Sequence, residues 1–90
     1  MRILLVEDDH QIASNIAEYL RDQSFAVDVA FDGVEGFNFA KGIAPYDIIL
    51  LDRMLPGKDG ASICRELRSL GVKTTIIMVT AMDSIDARVE

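Results

Sequence analysis

The segment that decides the fold is ILLVEDD at residues 3–9, in which four apolar residues run directly into three carboxylates. An unbroken apolar run of this length is typical of a strand buried on both faces of a sheet. A second such run, IILL at residues 48–51, ends in Asp52. If these two strands are neighbours, their acidic ends converge on one spot, because ligands of open parallel sheets bind beyond the carboxyl ends of strands.

Apolar residues at helical spacing separate the strands and predict three helices. Gly36 lies inside the second helix and weakens that prediction, whereas Gly71 is a natural C-terminal cap for the third. The three apolar stripes are Ile12, Ile16, Tyr19 and Leu20, with Ala13 and Ala17 beside them; Val34, Phe37 and Ala40; and Ile63, Leu67 and Leu70.

Two further strands complete the pattern. Alternation over residues 27–31 predicts a strand with one wetter face, as at a sheet edge, and Thr75–Val79 is a fourth β-branched run. Strands alternating with helices predict an α/β fold, a doubly wound parallel sheet forming a single domain over residues 1–90. Ser84 is expected to cap a final helical stub, which leaves Thr75–Val79 as an uncovered edge that invites pairing with another chain, as in a homodimer.

Composition narrows the class of protein. Ninety residues suffice for one small domain, and 15 acidic against 9 basic residues give a net charge of −6. That charge argues against binding of nucleic acid or an anionic membrane by this chain alone. No stretch approaches the roughly 20 apolar residues of a membrane span, and the first apolar run is too short for a signal peptide. With Cys64 as the single cysteine, we expect a cytoplasmic protein with no internal disulfide.

The acidic strand ends predict a cation site. Clustered carboxylates repel one another unless a cation joins them, and ligand sets made only of oxygen suit Mg²⁺ or Mn²⁺. Taken singly, Asp8 or Asp9 is equally well explained as a helix cap, and Thr80 as an ordinary strand residue. We interpret His10 as a solvent-exposed residue at a helix start and Cys64 as a small core residue.

Three stretches resemble receiver domains of two-component response regulators. They are ILLVEDD at residues 3–9, IILLDRMLPGKDG at residues 48–60 and IMVTA at residues 77–81. The sequence MLPG followed by DG is most similar to the OmpR/PhoB subfamily, whose members carry a DNA-binding domain after the receiver. The resemblance implies a flavodoxin-like (CheY-like) strand order of 2-1-3-4-(5). It also implies a phosphoacceptor that is switched by a sensor histidine kinase and is not itself an enzyme.

Carried over residue by residue, the resemblance makes Asp52 the phosphoacceptor. Glu7 and Asp8 match the acidic pair that helps to hold Mg²⁺, and the backbone carbonyl of Met54 matches a third protein ligand. Asp9 is an adjacent carboxylate, expected to be a cap. The implied output is transcription, controlled through a C-terminal DNA-binding domain that this chain does not contain.

The same resemblance gives the phosphoryl group its binding partners. Thr80 matches the hydroxyl that bonds a phosphoryl oxygen, and the amide of Ala81 lies beside it. The family's lysine and switch aromatic would lie on a fifth strand beyond Glu90, so we expect the last strand and helix to be missing and the receiver to be truncated. This departure motivates an alternative, a receiver-like interaction module that is not phosphorylated.

Other doubly wound classes fit poorly. A flavodoxin needs a phosphate loop rich in Ser, Thr and Gly after the first strand, where this chain has three carboxylates. A phosphatase related to haloacid dehalogenase wants an Asp-x-Asp-x-Thr loop there, and nucleotide-binding folds need glycines that the chain lacks at this position.

Overall fold

Strands and helices alternate from residue 2 to residue 80, as the sequence predicts. A computed structural model describes residues 1–42, 45–52, 55–80 and 86–89. The elements are β1 (Arg2–Val6), α1 (His10–Asp22), β2 (Ala26–Ala30), α2 (Gly33–Ala40), β3 (Ile48–Asp52), α3 (Gly60–Ser69), β4 (Thr75–Thr80) and β5 (Asp86–Val89).

The first four strands form a parallel sheet in the order β2-β1-β3-β4, which confirms the predicted doubly wound arrangement. Ile3 pairs with Ile48 and Val6 with Leu51, so β1 and β3 end side by side. Strand β2 lies at the sheet edge, in agreement with its alternating pattern.

The prediction of a helical stub and an uncovered β4 edge is wrong. Ser84 lies outside the described residues, but Asp86–Val89 forms β5, which pairs antiparallel with β4 from Ile77↔Val89 to Thr80↔Asp86. An open strand edge presents unpaired N–H and C=O groups that attract any available strand. Asp86–Val89 therefore covers the edge that was expected from the sequence to be open.

The sheet separates two apolar cores. Alternate side chains of β1 point to opposite faces, so Leu4 and Val6 join the core beneath α2 and α3, whereas Ile3 and Leu5 join the core beneath α1. All four are buried. Among the described residues, no helix has the length and apolar character needed to cross a bilayer.

Some apolar residues of the predicted helix stripes are exposed in the structure. On α1, Ala13 and Ala17 are buried whereas Ile12 and Tyr19 are exposed. Small side chains at the contact let α1 lie close to the sheet, which turns the larger flanking residues outward. Leu70, the C-cap residue of α3, is likewise exposed.

Helix α2 approaches the strand β1 and the loop before α3 through glycine. A Cβ placed on Gly36 would lie 2.7 Å from Cγ1 of Val6, and one on Gly33 would lie 2.0 Å from the carbonyl oxygen of Lys58. The Gly33 N–H donates to the carbonyl of Pro56 at 3.2 Å. The glycine that weakens the helix prediction is therefore required for packing beside the end of β1.

We predict that Gly36→Ala lowers the free energy of unfolding by about 1–2 kcal/mol, because the clash with Val6 outweighs the gain in helix propensity. Val6→Ala opens the space that the new methyl group needs. In the double variant the added cost of Gly36→Ala should therefore disappear, as measured by a double-mutant cycle in urea.

Gly71→Ala is the matched control for this cycle. Gly71 has φ +83° and open space around its Cβ position, so alanine costs backbone strain there without a clash. Its effect should simply add to that of Val6→Ala. Additive effects of Gly36→Ala and Val6→Ala would contradict the packing explanation.

Candidate functional site

Three carboxylates meet at the carboxyl edge of the sheet. Glu7 and Asp8 directly follow β1, and Asp52 is the last residue of β3. Each offers one oxygen, and these three oxygens lie within 4.8 Å of one another. The pairing of Val6 with Leu51 produces this arrangement, because the next residue on each strand is an acid. The convergence that the sequence made conditional on neighbouring strands is present.

Asp9 is the helix cap among the three consecutive acids. Its Oδ1 accepts a hydrogen bond from the Ile12 N–H at 3.0 Å and so caps the N-terminus of α1. The Asp9 N–H in turn donates to Oε2 of Glu7 at 3.0 Å. Capping is thus assigned to Asp9, as expected, while Asp8 belongs to the acidic cluster.

Glu7 is the buried member of the cluster. Glu7 is only 7% exposed, and this burial raises the pKa of its side-chain carboxyl to about 7. The neighbouring charge of Asp52 raises this pKa further, whereas the hydrogen bond from the Asp9 amide opposes the rise. Near neutral pH this carboxyl therefore gains a proton readily.

The cluster fits a small divalent cation. Octahedral Mg²⁺ at about 2.0–2.1 Å from each oxygen requires ligand oxygens about 3 to 4 Å apart, a spacing that small side-chain adjustments provide here. Glu7, Asp8 and Asp52 supply oxygen only, the donor type that Mg²⁺ prefers. A cavity of about 60 Å³ borders Glu7 and Asp52 on the side of the apolar core.

The remaining predicted site residues are placed only in part. Thr80 ends β4, one residue beyond Val79, which is the register partner of Asp52. Its backbone is therefore on the strand adjacent to the predicted phosphoacceptor. Met54 and Ala81 lie outside the described residues.

One aromatic pair beside the site was not predicted from the sequence. His10 is exposed, as expected, but its ring stacks on Phe31 with centroids 4.0 Å apart and an interplanar angle of 17°. Phe31 follows the edge strand β2, so only knowledge of the strand order could place it near the start of α1. Cys64 is buried, in agreement with the core interpretation.

Comparison with known proteins agrees with this geometry. Residues 3–90 match the response regulator receiver domain family. The transcriptional regulatory protein CutR of Streptomyces coelicolor is 40% identical over 90 residues, which cover 100% of this chain and 41% of CutR. The receiver domain of the Francisella response regulator 1452 superposes with a TM-score of 0.83 at 35% identity, covering 92% of this chain and 68% of that one.

A third similar protein was solved with ligands bound. Response regulator TrrA of Thermotoga maritima, in complex with Mg(2+)-BeF, has a TM-score of 0.80 and 32% identity, covering 91% of this chain and 70% of that chain.

The chain belongs to the response regulator receiver domain family of two-component systems. Its relatives are transcriptional response regulators of the OmpR/PhoB type. Receiver domains of this family bind Mg²⁺ at an acidic pocket and work with histidine kinases. The chain spans about two fifths of the length of CutR.

The buried acid generates a prediction about stability. The folded pKa of Glu7 is raised from 4.5 to about 7, so the folded state favours the protonated carboxyl. Protonated Glu7 therefore stabilises the folded state below about pH 4.5, and this stabilisation is lost as the pH rises to 7 and the carboxyl ionises. In metal-free buffer, Glu7→Gln should therefore remove a decline in the free energy of unfolding of roughly 3 kcal/mol between these pH values.

Urea unfolding at half-unit pH steps, with EDTA present, measures this decline. Glu18→Gln is the matched control, since Glu18 is exposed on α1. The control should retain the decline of the parent chain. Parallel pH profiles of the parent chain and Glu7→Gln would contradict the assignment of the decline to Glu7.

Proposed function

We propose that the chain accepts a phosphoryl group on Asp52 from a sensor histidine kinase in a Mg²⁺-dependent reaction. The observation that carries this proposal is the approach of the Glu7, Asp8 and Asp52 oxygens to within 4.8 Å at the carboxyl edge of the sheet. This is the place where doubly wound folds bind their ligands. Membership of the receiver family supports the same assignment.

Asp52 acts as the nucleophile in this proposal. One of its carboxylate oxygens forms a bond to phosphorus while the bond from phosphorus to the donor breaks, and the donor atom leaves with the electron pair. Two anions repel each other, so the reaction needs positive charge at the site. When bound, Mg²⁺ neutralises the transferring phosphoryl oxygens and the clustered carboxylates.

Glu7 and Asp8 hold the cation beside the nucleophile. Glu7 is fixed from both sides, since its N–H donates to the Ala30 carbonyl at 3.0 Å and its side chain accepts from Asp9. Asp8 is exposed and completes the pair at the mouth of the site. We assign the third protein ligand to the backbone carbonyl of Met54, on the resemblance alone.

We propose that the Thr80 hydroxyl and the Ala81 amide donate hydrogen bonds to the oxygens of the new phosphoryl group. The support is the register of β4, which ends next to Asp52. A phosphoryl group adds about two negative charges at one point, and the hydroxyl and the amide that the resemblance assigns to these two residues would donate hydrogen bonds to it. The complex of TrrA with Mg(2+)-BeF supports a site of this type in a similar fold.

The proposed output is control of transcription by a cytoplasmic regulator. CutR is named a transcriptional regulatory protein, and the acidic charge of this chain leaves contact with DNA to a separate C-terminal domain. A homodimer remains a prediction of the sequence. Because β5 pairs with the β4 edge, such a dimer needs a different surface.

We predict that the parent chain forms an acyl phosphate when it is incubated with acetyl phosphate and Mg²⁺, and that Asp52→Asn abolishes it. Asp8→Asn should lower the apparent Mg²⁺ affinity by at least about tenfold, because it removes a ligand oxygen. Intact-mass spectrometry and its Mg²⁺ dependence measure both effects.

Asp22→Asn is the matched control, since it removes a carboxylate on the exposed end of α1 and should leave phosphorylation unchanged. Equal phosphorylation of Asp52→Asn would show that another residue is modified. A folded parent chain that stays unmodified at saturating Mg²⁺ would favour the alternative, an interaction module that is not phosphorylated.

A further inference from the structure

An apolar patch lies on the outward side of α2. Of the seven large hydrophobic side chains that are exposed among the described residues, three lie here: Phe31, Val34 and Phe39, exposed by 37%, 53% and 42%. With Asp32, Glu35 and Asn38 they form what we term the α2 surface. Val34 and Phe39 border an open depression of about 530 Å³ with the three polar residues.

The α2 surface is held in one conformation by local contacts. Asp32 Oδ1 accepts from the Glu35 N–H at 2.8 Å, and Glu35 Oε1 accepts from the Phe31 N–H at 2.9 Å. This reciprocal capping fixes both carboxylates at the start of the helix. Stacking against His10 fixes the Phe31 ring. A surface ordered in advance loses little conformational entropy when a partner binds.

The charges around the patch are negative. Asp32 and Glu35 lie within it, and a second depression, which also contains Asp32 and Val34, continues to Asp8. Two lysines near α2 are directed to another side chain, since Lys41 and Lys58 place their ammonium groups 5.0 and 5.2 Å from the Phe37 ring centroid. In the described part of the chain, the depression at Val34 and Phe39 has no Lys or Arg in its lining.

We propose that the α2 surface is a docking site for a basic amphipathic helix of another protein. Leucine-like residues at i, i+3 and i+7 of that helix would pack against Val34 and Phe39, and flanking Lys or Arg side chains would meet Asp32 and Glu35. This interaction is separate from phosphoryl transfer at Asp52.

Charge and shape favour a basic helix at the α2 surface over a second copy of the chain, nucleic acid or an extended peptide. A second copy of the chain also carries a net charge of −6, so self-association would bring like charges together. Nucleic acid is excluded from this surface for the same reason. An extended peptide needs an open strand edge for its main-chain hydrogen bonds, whereas a helix exposes side chains alone.

Two synthetic helical peptides with the same leucine stripe test the proposal, one with lysines and the other with glutamates on the flanks. Titrated into the ¹⁵N-labelled chain, the lysine peptide should bind in the micromolar range and shift amide resonances of α2. Raising the salt concentration should weaken binding of the lysine peptide, because the charges that meet at this surface are exposed to solvent. Equal binding of the glutamate peptide, or shifts confined to α1, would overturn the proposal.

Surface variants locate the site. Val34→Ser and Phe39→Ser should each weaken binding of the lysine peptide about tenfold. Asn38→Lys should do the same, because it adds a positive charge beside Asp32 and Glu35 without removing an apolar contact. Leu70→Ser, which truncates an even more exposed apolar side chain elsewhere, should leave binding unchanged.

The dispersed amide spectrum of each variant, recorded before titration, checks its fold. Unchanged affinity in both Val34→Ser and Asn38→Lys would overturn the proposal. Sedimentation that shows a dimer broken by Val34→Ser would also overturn it, in favour of a second copy as the occupant.

Discussion

The site depends on one constraint, the in-register parallel pairing of β1 with β3. Val6 pairs with Leu51, so Glu7 and Asp52 emerge side by side where the two strands end. A shift of one residue along a strand moves a side chain by about 3.3 Å and also turns it to the other face of the sheet. Either change would separate the carboxylates beyond the spacing that one Mg²⁺ accepts. The observed pairing runs from Ile3 with Ile48 to Val6 with Leu51, and it is this register that brings the two acidic strand ends together.

The same edge of the sheet is held from the side by α2. Gly36 lets the helix lie against Val6, the residue before Glu7, and Gly33 binds the Pro56 carbonyl in the loop after β3. The helix thus contacts the end of one site strand and the loop that follows the other. Any side chain at either glycine would push the helix away from both.

Local patterns were sufficient to predict β1 to β4 and the three helices, because an unbroken apolar run that ends in a carboxylate is typical of a buried strand. They predicted the acidic cluster on the condition that β1 and β3 are neighbours. They were insufficient where distant residues decide the outcome. Pairing of Asp86–Val89 depends on the open edge of a different strand, β4. The residue type at Ser84 could not predict this pairing.

Buried Tyr46 gives a second example, because its hydroxyl donates to Asp28 Oδ2 at 2.7 Å across 18 residues of sequence. Asp28 also accepts from Arg2 at 3.0 Å, so this contact joins the beginning of β1 and the middle of β2 to the segment before β3. The bond from Tyr46 and the charge of Arg2 lower the pKa of Asp28.

Two acids of the sheet therefore have opposite environments. In the middle of β2, Asp28 has a hydroxyl and a guanidinium as partners, which stabilise its ionised form. At the site, burial and the charge of Asp52 raise the pKa of Glu7 to about 7, so ionisation there destabilises the fold. A cation relieves that cost, and the relief is free energy available for binding it. A cluster neutralised by the protein's own basic residues would be more stable without metal and correspondingly less able to bind it.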